Sequence, residues 1–323
     1  MFLEKEGKLI YSYDGETVCI EAWGKDALRV RATKNRSFTG RDWALEAKDA
    51  HAGEVEIFED PSAKGGAFAN MYEGTDTSYG KITNGKLHAV IDSGSVITFY
   101  HEDGRVLLKE HFRRLRDEES MPLNIMGREY SNGVGDNFRI VARFVARKGE
   151  KIFGMGQYQQ HELDLKGCML ELAQRNSQVS VPFYLSSIGY GFLWNNPGVG
   201  QVMFANNGTE WVTESGKEID YLVIAGDTPA EIEENYMTLT GKPPMMPEYG
   251  MGFWQCKLRY WNQEQLLSVA RKYKELGVPL DVIVVDFFHW TKQGEFKFDP
   301  KYWPDVPGMC LSLIHISEPT RLR

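Results

Sequence analysis

The sequence lacks the cysteine spacing of a metal or redox site. Its four cysteines lie far apart, and no two of them form a C-x-x-C motif; they are Cys19, Cys168, Cys256 and Cys310. Isolated thiols of this kind are typical of proteins in a reducing compartment. We therefore expect free thiols and no metal centre.

The sequence also has little positive charge and no long apolar run. Lys and Arg number 37 against 45 Asp and Glu, so the net charge is −8 and the pI about 5.5. This balance excludes an extended surface for nucleic acid or an anionic membrane. The opening stretch MFLEKEGKLI contains no apolar signal region, and no segment reaches the length of a membrane span. These absences predict a soluble, cytoplasmic protein.

Up to about residue 225 the sequence repeatedly alternates apolar and polar residues. In ALRVRAT the apolar residues alternate with Arg29 and Arg31, as in a strand with one buried face. SVITFYHEDGRVLLKE reads as two strands joined at Asp103-Gly104, a hairpin dipeptide. Many short strands with polar turns, and no long helical window, predict an antiparallel β-sandwich over residues 1–225.

The periodicity changes after residue 225. Thr228, Pro229 and Glu231 have the spacing of an N-cap, a first-turn proline and a capping box. Gly241, followed by two prolines, is a typical helix end. We therefore predict a helical linker over residues 226–247.

A β–α–β unit is predicted after the linker. EYGMGFWQCK reads as a strand, WNQEQLLSVARKYKELGVP as a helix and LDVIVVD as a second strand. Asn262 is the predicted N-cap of the helix. Its predicted apolar face is formed by Leu266, Val269, Ala270, Tyr273 and Leu276. A helix between two strands implies that the strands are parallel.

The second of these strands ends in an aspartate that is followed by aromatic residues, in the stretch PLDVIVVDFFHW. Because side chains alternate along a strand, Val282, Val284 and Asp286 share one face. In parallel α/β folds the carboxyl ends of the strands carry the binding site. Asp286 therefore either binds a ligand or only caps the following turn, and the pattern alone leaves both readings open.

Several stretches resemble glycoside hydrolase family 31. PPMMPEYGMGFWQCKLRY, QEQLLSVARKYKELGVPLDVIVVDFFHW and GEFKFDPKYWPDVPGM resemble the start of that family's catalytic barrel. Upstream, KIFGMGQYQQHELDLKG and RNSQVSVPFYLSSIGYGFLWNNPG resemble its N-terminal domain in order and spacing. The resemblance covers about residues 8–309. It implies a mainly β chain with an α/β part: a mutarotase-like antiparallel β-sandwich, the linker, and the truncated start of a (β/α)8 barrel over residues 248–309.

The resemblance implies a retaining α-glycosidase with an aspartate nucleophile and an aspartate acid/base. It implies that Asp286 binds hydroxyl groups of the sugar in the −1 subsite. Phe288, Trp290 and Trp254, the last placed at the end of the first strand, would form apolar walls for that sugar. The partner is then a carbohydrate, and no cofactor or metal is implied, because members of the family work with carboxylates alone.

The resemblance also bears on the substrate. DFFHW…GEFKFDPKYWPD and LDLKG…RN are more similar to the α-xylosidases of the family than to its starch-acting members. An α-xyloside is therefore the expected substrate, with an α-glucoside as the alternative. A homo-oligomer is left open for the full-length parent.

Neither catalytic carboxylate can be assigned in this chain. A complete barrel needs about 250 residues, whereas Tyr249–Met309 supply only two strands and one helix. We expect a fragment that is inactive as given and prone to aggregation past residue 242. The last residues, CLSLIHISEPTRLR, resemble no barrel segment, so residues 310–323 are expected to be an artefactual tail.

Two other functions remain open from the sequence. A non-catalytic carbohydrate-binding sandwich would need a sugar-binding surface within residues 1–240. A sugar epimerase of the mutarotase type would need a histidine and a glutamate together in the sandwich cleft, and no such pair stands out. Sugar binding by the isolated sandwich would favour the first of these, whereas a reading frame that continues into later barrel strands would favour the hydrolase.

Overall fold

The chain divides into two compact units, Met1–Lys242 and Pro243–Arg323. A computed structural model describes residues 1–59, 78–111, 113–114 and 124–317. Within these ranges, some side chains lie outside the description: those of Ala47, Glu59, Arg113, Arg114, Asn124, Ile125, Phe288 and Ser317. No helix in the described ranges is both long and apolar enough to cross a membrane.

Short strands make up most of the first unit. In its described part they are β1 (Phe2–Lys5), β2 (Lys8–Tyr13), β3 (Glu16–Trp23), β4 (Ala27–Thr33), β5 (Ala50–His51), β6 (Glu54–Glu59), β7 (Ser78–Asn84), β8 (Leu87–Ile91), β9 (Ile97–His101), β10 (Val106–Lys109), β11 (Arg113–Arg114), β12 (Asn124–Ile125), β13 (Arg128–Asn132), β14 (Phe138–Phe144), β15 (Ile152–Gln157), β16 (Met169–Leu172), β17 (Val179–Ser186), β18 (Tyr190–Trp194), β19 (Gly200–Phe204), β20 (Thr209–Gly216) and β21 (Ile219–Ala225). A 3-10 turn spans Ala47–Asp49, and helix α1 spans Pro229–Thr240.

These strands form three main antiparallel sheets. The largest has nine strands in the order β1-β2-β3-β4-β21-β18-β17-β15, with β5 paired to β3. The other two have five strands each, in the orders β10-β9-β8-β7-β6 and β13-β14-β20-β19-β16, and β11 pairs with β12. The hairpin predicted at Asp103-Gly104 is confirmed, because it joins β9 to β10.

The main core lies between the nine-stranded sheet and the two five-stranded sheets. Phe192 on the large sheet contacts Phe144 and Trp211 on one of the smaller sheets, with ring centroids 5.3 and 5.2 Å apart. Tyr221 on the large sheet contacts Phe99 on the other at 6.3 Å. Edge-to-face and offset ring contacts at these distances are favourable. The predicted antiparallel β-sandwich is therefore confirmed.

The nine-stranded sheet is also covered on its outer face. Helix α1 packs there, with Tyr236 stacked on Phe183 at 3.8 Å between ring centroids and Ile232 and Leu239 buried. The reading of β4 as a strand with one solvent-facing side is wrong at Arg29. Arg29 is fully buried rather than exposed, and its guanidinium forms two hydrogen bonds with the Asp220 carboxylate, at 3.0 and 2.7 Å.

Helix α1 begins and ends as predicted. Thr228 is the N-cap, and its hydroxyl accepts a hydrogen bond from Glu231 N at 3.2 Å. The Glu231 carboxylate accepts from Asp227 N at 3.0 Å, one residue before the position that a standard capping box uses. Gly241 ends the helix with a φ of 94°, a backbone conformation that favours glycine.

The second unit contains a parallel β–α–β arrangement. Its described elements are a 3-10 turn (Glu248–Met251), β22 (Trp254–Lys257), α2 (Gln263–Glu275), β23 (Val282–Val285), a 3-10 turn (Phe287–His289) and α3 (Val306–Ser317). Strands β22 and β23 are parallel neighbours, as predicted. Helix α3 overlaps the segment expected to be an artefactual tail, and the origin of that segment stays a prediction.

The predicted apolar face of α2 is correct except at one end. Leu266 and Ala270 are buried as expected, and Asn262 is the N-cap, with its side chain accepting from Gln265 N at 2.9 Å. Leu276 was wrongly placed on the face: it is the C-cap residue, it is 64% exposed, and it does not belong to the apolar cluster around α2. Leu267, which is buried, completes the face instead.

Candidate active-site edge

The carboxyl ends of the two parallel strands meet at one edge of the second unit. Trp254 is paired with Val282 and Lys257 with Val285, so both strands run in step and finish together. The loop that follows each strand therefore begins at the same edge. In parallel α/β folds such an edge carries the functional side chains.

Asp286 is the first residue after β23 and lies at this edge. Ile283 and Val285 pack with the apolar cluster around α2, so the alternation of side chains directs Asp286 to the opposite face. Asp286 is half-buried and precedes the Phe287–His289 turn as its N-cap, with Oδ1 accepting a hydrogen bond from Phe287 N at 2.7 Å. Its other oxygen, Oδ2, has no hydrogen bond within the described residues.

The capping role that the sequence left open therefore exists. His289 strengthens the turn, because its Nδ1 lies 2.8 Å from the carbonyl oxygen of Asp286. Capping uses one carboxylate oxygen and leaves the second, which is compatible with a further role as a hydrogen-bond acceptor. Sugar binding by Asp286 stays a prediction.

The placement of Trp254 was wrong. Trp254 begins β22 rather than ending it, and its partner Val282 is the first residue of β23. At about 3.3 Å per residue, Trp254 is roughly 13 Å along the strand direction from the level of Asp286. Trp254 is 51% exposed, and its Nε1 donates to the carbonyl oxygen of Gly250 at 3.1 Å.

Trp290 lies in an aromatic cluster formed by the loop after β23. Its ring centroid is 4.6 Å from that of Phe296 and 5.9 Å from that of Phe287. The indole Nε1 of Trp290 is buried, and it finds no hydrogen-bond partner within the described part of the chain. The side chain of Phe288 lies outside the described residues, so its predicted role as an apolar wall is untested.

A cavity of about 290 Å3 opens between the two loops at this edge. It is lined by Arg259, Tyr260, Trp261, Asn262, His289, Trp290, Asp299, Tyr302 and Trp303. The Arg259 guanidinium stacks over the Trp261 ring at 4.3 Å from the ring centre, and burial raises the pKa of Tyr260, which keeps its hydroxyl protonated. Aromatic walls with a few polar groups are typical of small-molecule sites.

The structure thus brings Trp290 into a cavity but leaves Asp286 and Trp254 outside its lining. The sequence did not indicate that Arg259–Asn262 line this site. The available signal was the position of this segment, because it directly follows a predicted parallel strand and contains two aromatic residues. Within the described residues, no group of three His, Cys, Asp or Glu side chains is arranged to hold a metal ion.

Both units match models of one protein family. Residues 17–202 match the N-terminal galactose mutarotase-like domain of glycosyl hydrolase family 31, and residues 243–317 match the family 31 TIM-barrel domain. These matches confirm the predicted fold class, a β-sandwich followed by the start of a (β/α)8 barrel.

Individual relatives agree with these matches. An uncharacterized family 31 glucosidase of Pseudescherichia vulneris is 41% identical over 322 residues, which are 96% of this chain and 58% of that protein. An α-xylosidase of Saccharolobus solfataricus is 37% identical over 183 residues, which are 53% of this chain and 25% of that protein.

A solved structure also agrees. The crystal structure of an α-xylosidase from a soil metagenome, complexed with xylose, has 43% sequence identity and a TM-score of 0.85 over 98% of this chain and 46% of that one. The matched part of the chain covers 58%, 25% and 46% of these three relatives, so it spans about half of their length or less. On the evidence of the two family models and these relatives, the chain belongs to glycoside hydrolase family 31.

Proposed function

We propose that this chain is part of a retaining α-glycosidase that removes terminal α-linked sugars, with α-xylosides as the preferred substrates. The observation that carries the proposal is the position of Asp286 at the carboxyl end of β23, with Oδ1 engaged in a turn and Oδ2 available to accept sugar hydroxyls. A carboxylate that accepts hydroxyl protons forms charge-assisted hydrogen bonds. Such bonds fix the sugar ring so that binding energy assists the reaction.

The preference for xylose is supported by two relatives that are α-xylosidases, one from Saccharolobus solfataricus and one from a soil metagenome. The alternative is an α-glucosidase, which the name of the Pseudescherichia vulneris relative favours. In either case we assign the apolar wall beside Asp286 to Phe288 and Trp290. We do not assign that role to Trp254, because it lies at the other end of β22.

The nucleophile and the acid/base belong, in this proposal, to barrel strands that this chain does not contain. The 323-residue chain is therefore expected to hydrolyse neither nitrophenyl α-xyloside nor nitrophenyl α-glucoside. A long read of the source DNA across the codons for residues 300–323 decides whether the reading frame continues into later barrel strands. A frame that truly ends at Arg323 would contradict the hydrolase proposal for this gene product.

The substrate is tested on the protein encoded by the continued frame. We expect kcat/KM for nitrophenyl α-xyloside to exceed that for the α-glucoside by at least about tenfold, which corresponds to roughly 1.4 kcal/mol. Asp286→Ala should lower kcat/KM about 100-fold or more. The matched control is Glu264→Gln, an exposed carboxylate on α2 that pairs with Arg271. Equal losses in both variants would argue against a sugar contact at Asp286.

A further inference from the structure

A cleft at one end of the sandwich is not used by the proposed function. Its volume is about 770 Å3, within the range of small-molecule sites. It lies where the loop after β4, the β13–β14 turn, the β18–β19 loop and the β20–β21 turn come together. Loops held by a rigid sheet are a common place for binding residues.

Trp43 projects from the loop after β4 into this cleft. Trp43 is 46% exposed, in contrast to the buried tryptophans of the sandwich core. Its φ is 54°, a left-handed conformation that is rare for a large residue and costs of order 1 kcal/mol. An exposed ring held in a strained backbone conformation needs other contacts to keep it there.

Those contacts come from a buried hydrogen-bond network next to Trp43. Arg29, which is held by Asp220, also donates to the Asp42 carboxylate at 2.7 Å and to the Arg41 carbonyl oxygen at 2.9 Å. The Asn195 amide donates to the Asp42 carbonyl oxygen at 3.1 Å. These hydrogen bonds fix Arg41 and Asp42 to the nine-stranded sheet. The position of the Trp43 ring is fixed with them.

The other end of the same loop is fixed as well. The Thr39 backbone N–H and hydroxyl both donate to the Glu218 carboxylate, each at 2.8 Å. Asn35 donates through its amide to the carbonyl oxygens of Asp136 and Lys217, at 3.0 and 3.2 Å. Because both ends are anchored, the cleft is preformed, and a ligand would not have to order the loop.

The polar groups of the cleft are suited to hydroxyl groups. The Arg41 guanidinium lies over the Trp43 ring, 5.3 Å from its centre, and within the described residues neither Arg41 nor Arg36 forms an ion pair. Asn137 and Asn196 also line the cleft. The positive charges are largely offset, because Lys217 pairs with Asp136 at 2.7 Å and Glu218 adds a second carboxylate.

We propose that the Trp43 cleft is a second carbohydrate site, which binds an uncharged oligosaccharide with one sugar ring stacked on Trp43 and its hydroxyls bonded to Arg36, Arg41 and Asn137. The inference rests on the proposed function for its ligand class, since the Asp286 edge defines the sugar that the protein processes. The cleft lies entirely within the first unit, so it would hold a saccharide independently of the Asp286 edge.

The test measures binding of maltotriose and of an α-xylosyl-glucose disaccharide to the whole 323-residue chain by ligand-observed NMR and calorimetry. Trp43→Gly removes the ring while accepting the positive φ, so it should not destabilise the turn. We expect it to weaken binding at least about tenfold, the loss typical of an anchoring tryptophan. Trp43→Phe should keep part of the affinity. The control Tyr249→Ala removes an exposed aromatic ring of the second unit and should leave the affinity for the sugar unchanged.

Each outcome decides the inference. If Trp43→Gly binds the sugar as tightly as the parent protein does, with an unchanged unfolding midpoint, the inference of a second site is overturned. If Asp286→Ala abolishes binding while Trp43→Gly does not, the second site fails and the proposed function stands. Binding of inorganic phosphate or glucuronate, with no binding of the neutral sugars at millimolar concentration, would show an anion site and would also overturn the inference.

Discussion

The two units differ in how completely their strands are covered. In the sandwich, β18 and β21 are buried along their whole length, because side chains pack on both faces of the sheet. In the second unit, β22 is largely exposed and every residue of β23 is only half-buried. The hydrophobic contribution to stability scales with the apolar area removed from water. The sandwich therefore contributes most of the stability, whereas Asp286, the candidate sugar-binding residue, lies in the less covered unit.

The largest effect should come from separating the two units at residue 242. Residues 1–242 alone should unfold cooperatively and keep the near-UV circular dichroism of the packed aromatic core. Residues 243–323 alone should show no cooperative transition, because a two-stranded sheet and the two helices α2 and α3 bury too little apolar surface. Scanning calorimetry of both pieces is the measurement. Limited proteolysis of the whole chain that leaves no stable N-terminal product would contradict this division.

A second effect compares a buried arginine with an exposed one. Arg29→Leu leaves the Asp220 carboxylate buried without its partner, which should cost about 3–5 kcal/mol in the free energy of unfolding. Arg271→Leu removes an exposed pair with Glu264 and should change it by less than about 1 kcal/mol. Urea unfolding followed by fluorescence measures both. Similar losses in the free energy of unfolding for the two variants would mean that burial does not explain the difference between the two arginines.

The loss of stability caused by Arg29→Leu should also depend on pH. Burial raises the pKa of Asp220 to about 6, even though its hydrogen bonds with Arg29 act in the opposite direction. A carboxyl whose pKa is higher in the folded state than in the unfolded state favours folding most at low pH. This contribution to the free energy of unfolding is lost as the pH rises from about 4 through the folded-state pKa. Without Arg29 the pKa rises further, so the loss continues to higher pH. The destabilisation by Arg29→Leu should therefore be larger at pH 8 than at pH 5.

The burial of Arg29 shows what the sequence could not reveal. Alternation in ALRVRAT correctly predicts a strand with Leu28 and Val30 on the core side. At Arg29 the other face is covered by Arg41 and Asp42 of the loop after β4, which accept hydrogen bonds from the guanidinium. The arginine is neutralised by Asp220 on a neighbouring strand, 191 residues later in the chain. Local periodicity contains no information about either partner, so the outer face looked solvent-exposed.

The candidate site shows the same limit at shorter range. The position of Asp286 after an apolar strand was predictable, since the strand and its alternation are local features. The start of β22 was not, because the apolar stretch MGFW continues the strand pattern backwards into a 3-10 turn at Glu248–Met251. Trp254 was consequently assigned to the wrong end of the strand. Element boundaries depend on backbone hydrogen bonds that composition does not specify.

The smallest effect compares the N-caps of the two helices. Thr228→Ala and Asn262→Ala each remove one hydrogen bond to a first-turn N–H, at 3.2 and 2.9 Å, and each should cost about 1 kcal/mol locally. In the sandwich, α1 is packed on the sheet, so Thr228→Ala should lower the main unfolding transition. In the second unit, Asn262→Ala should instead speed amide exchange in α2 and leave that transition unchanged. A shift of the main transition by both variants would show that the two units unfold as one.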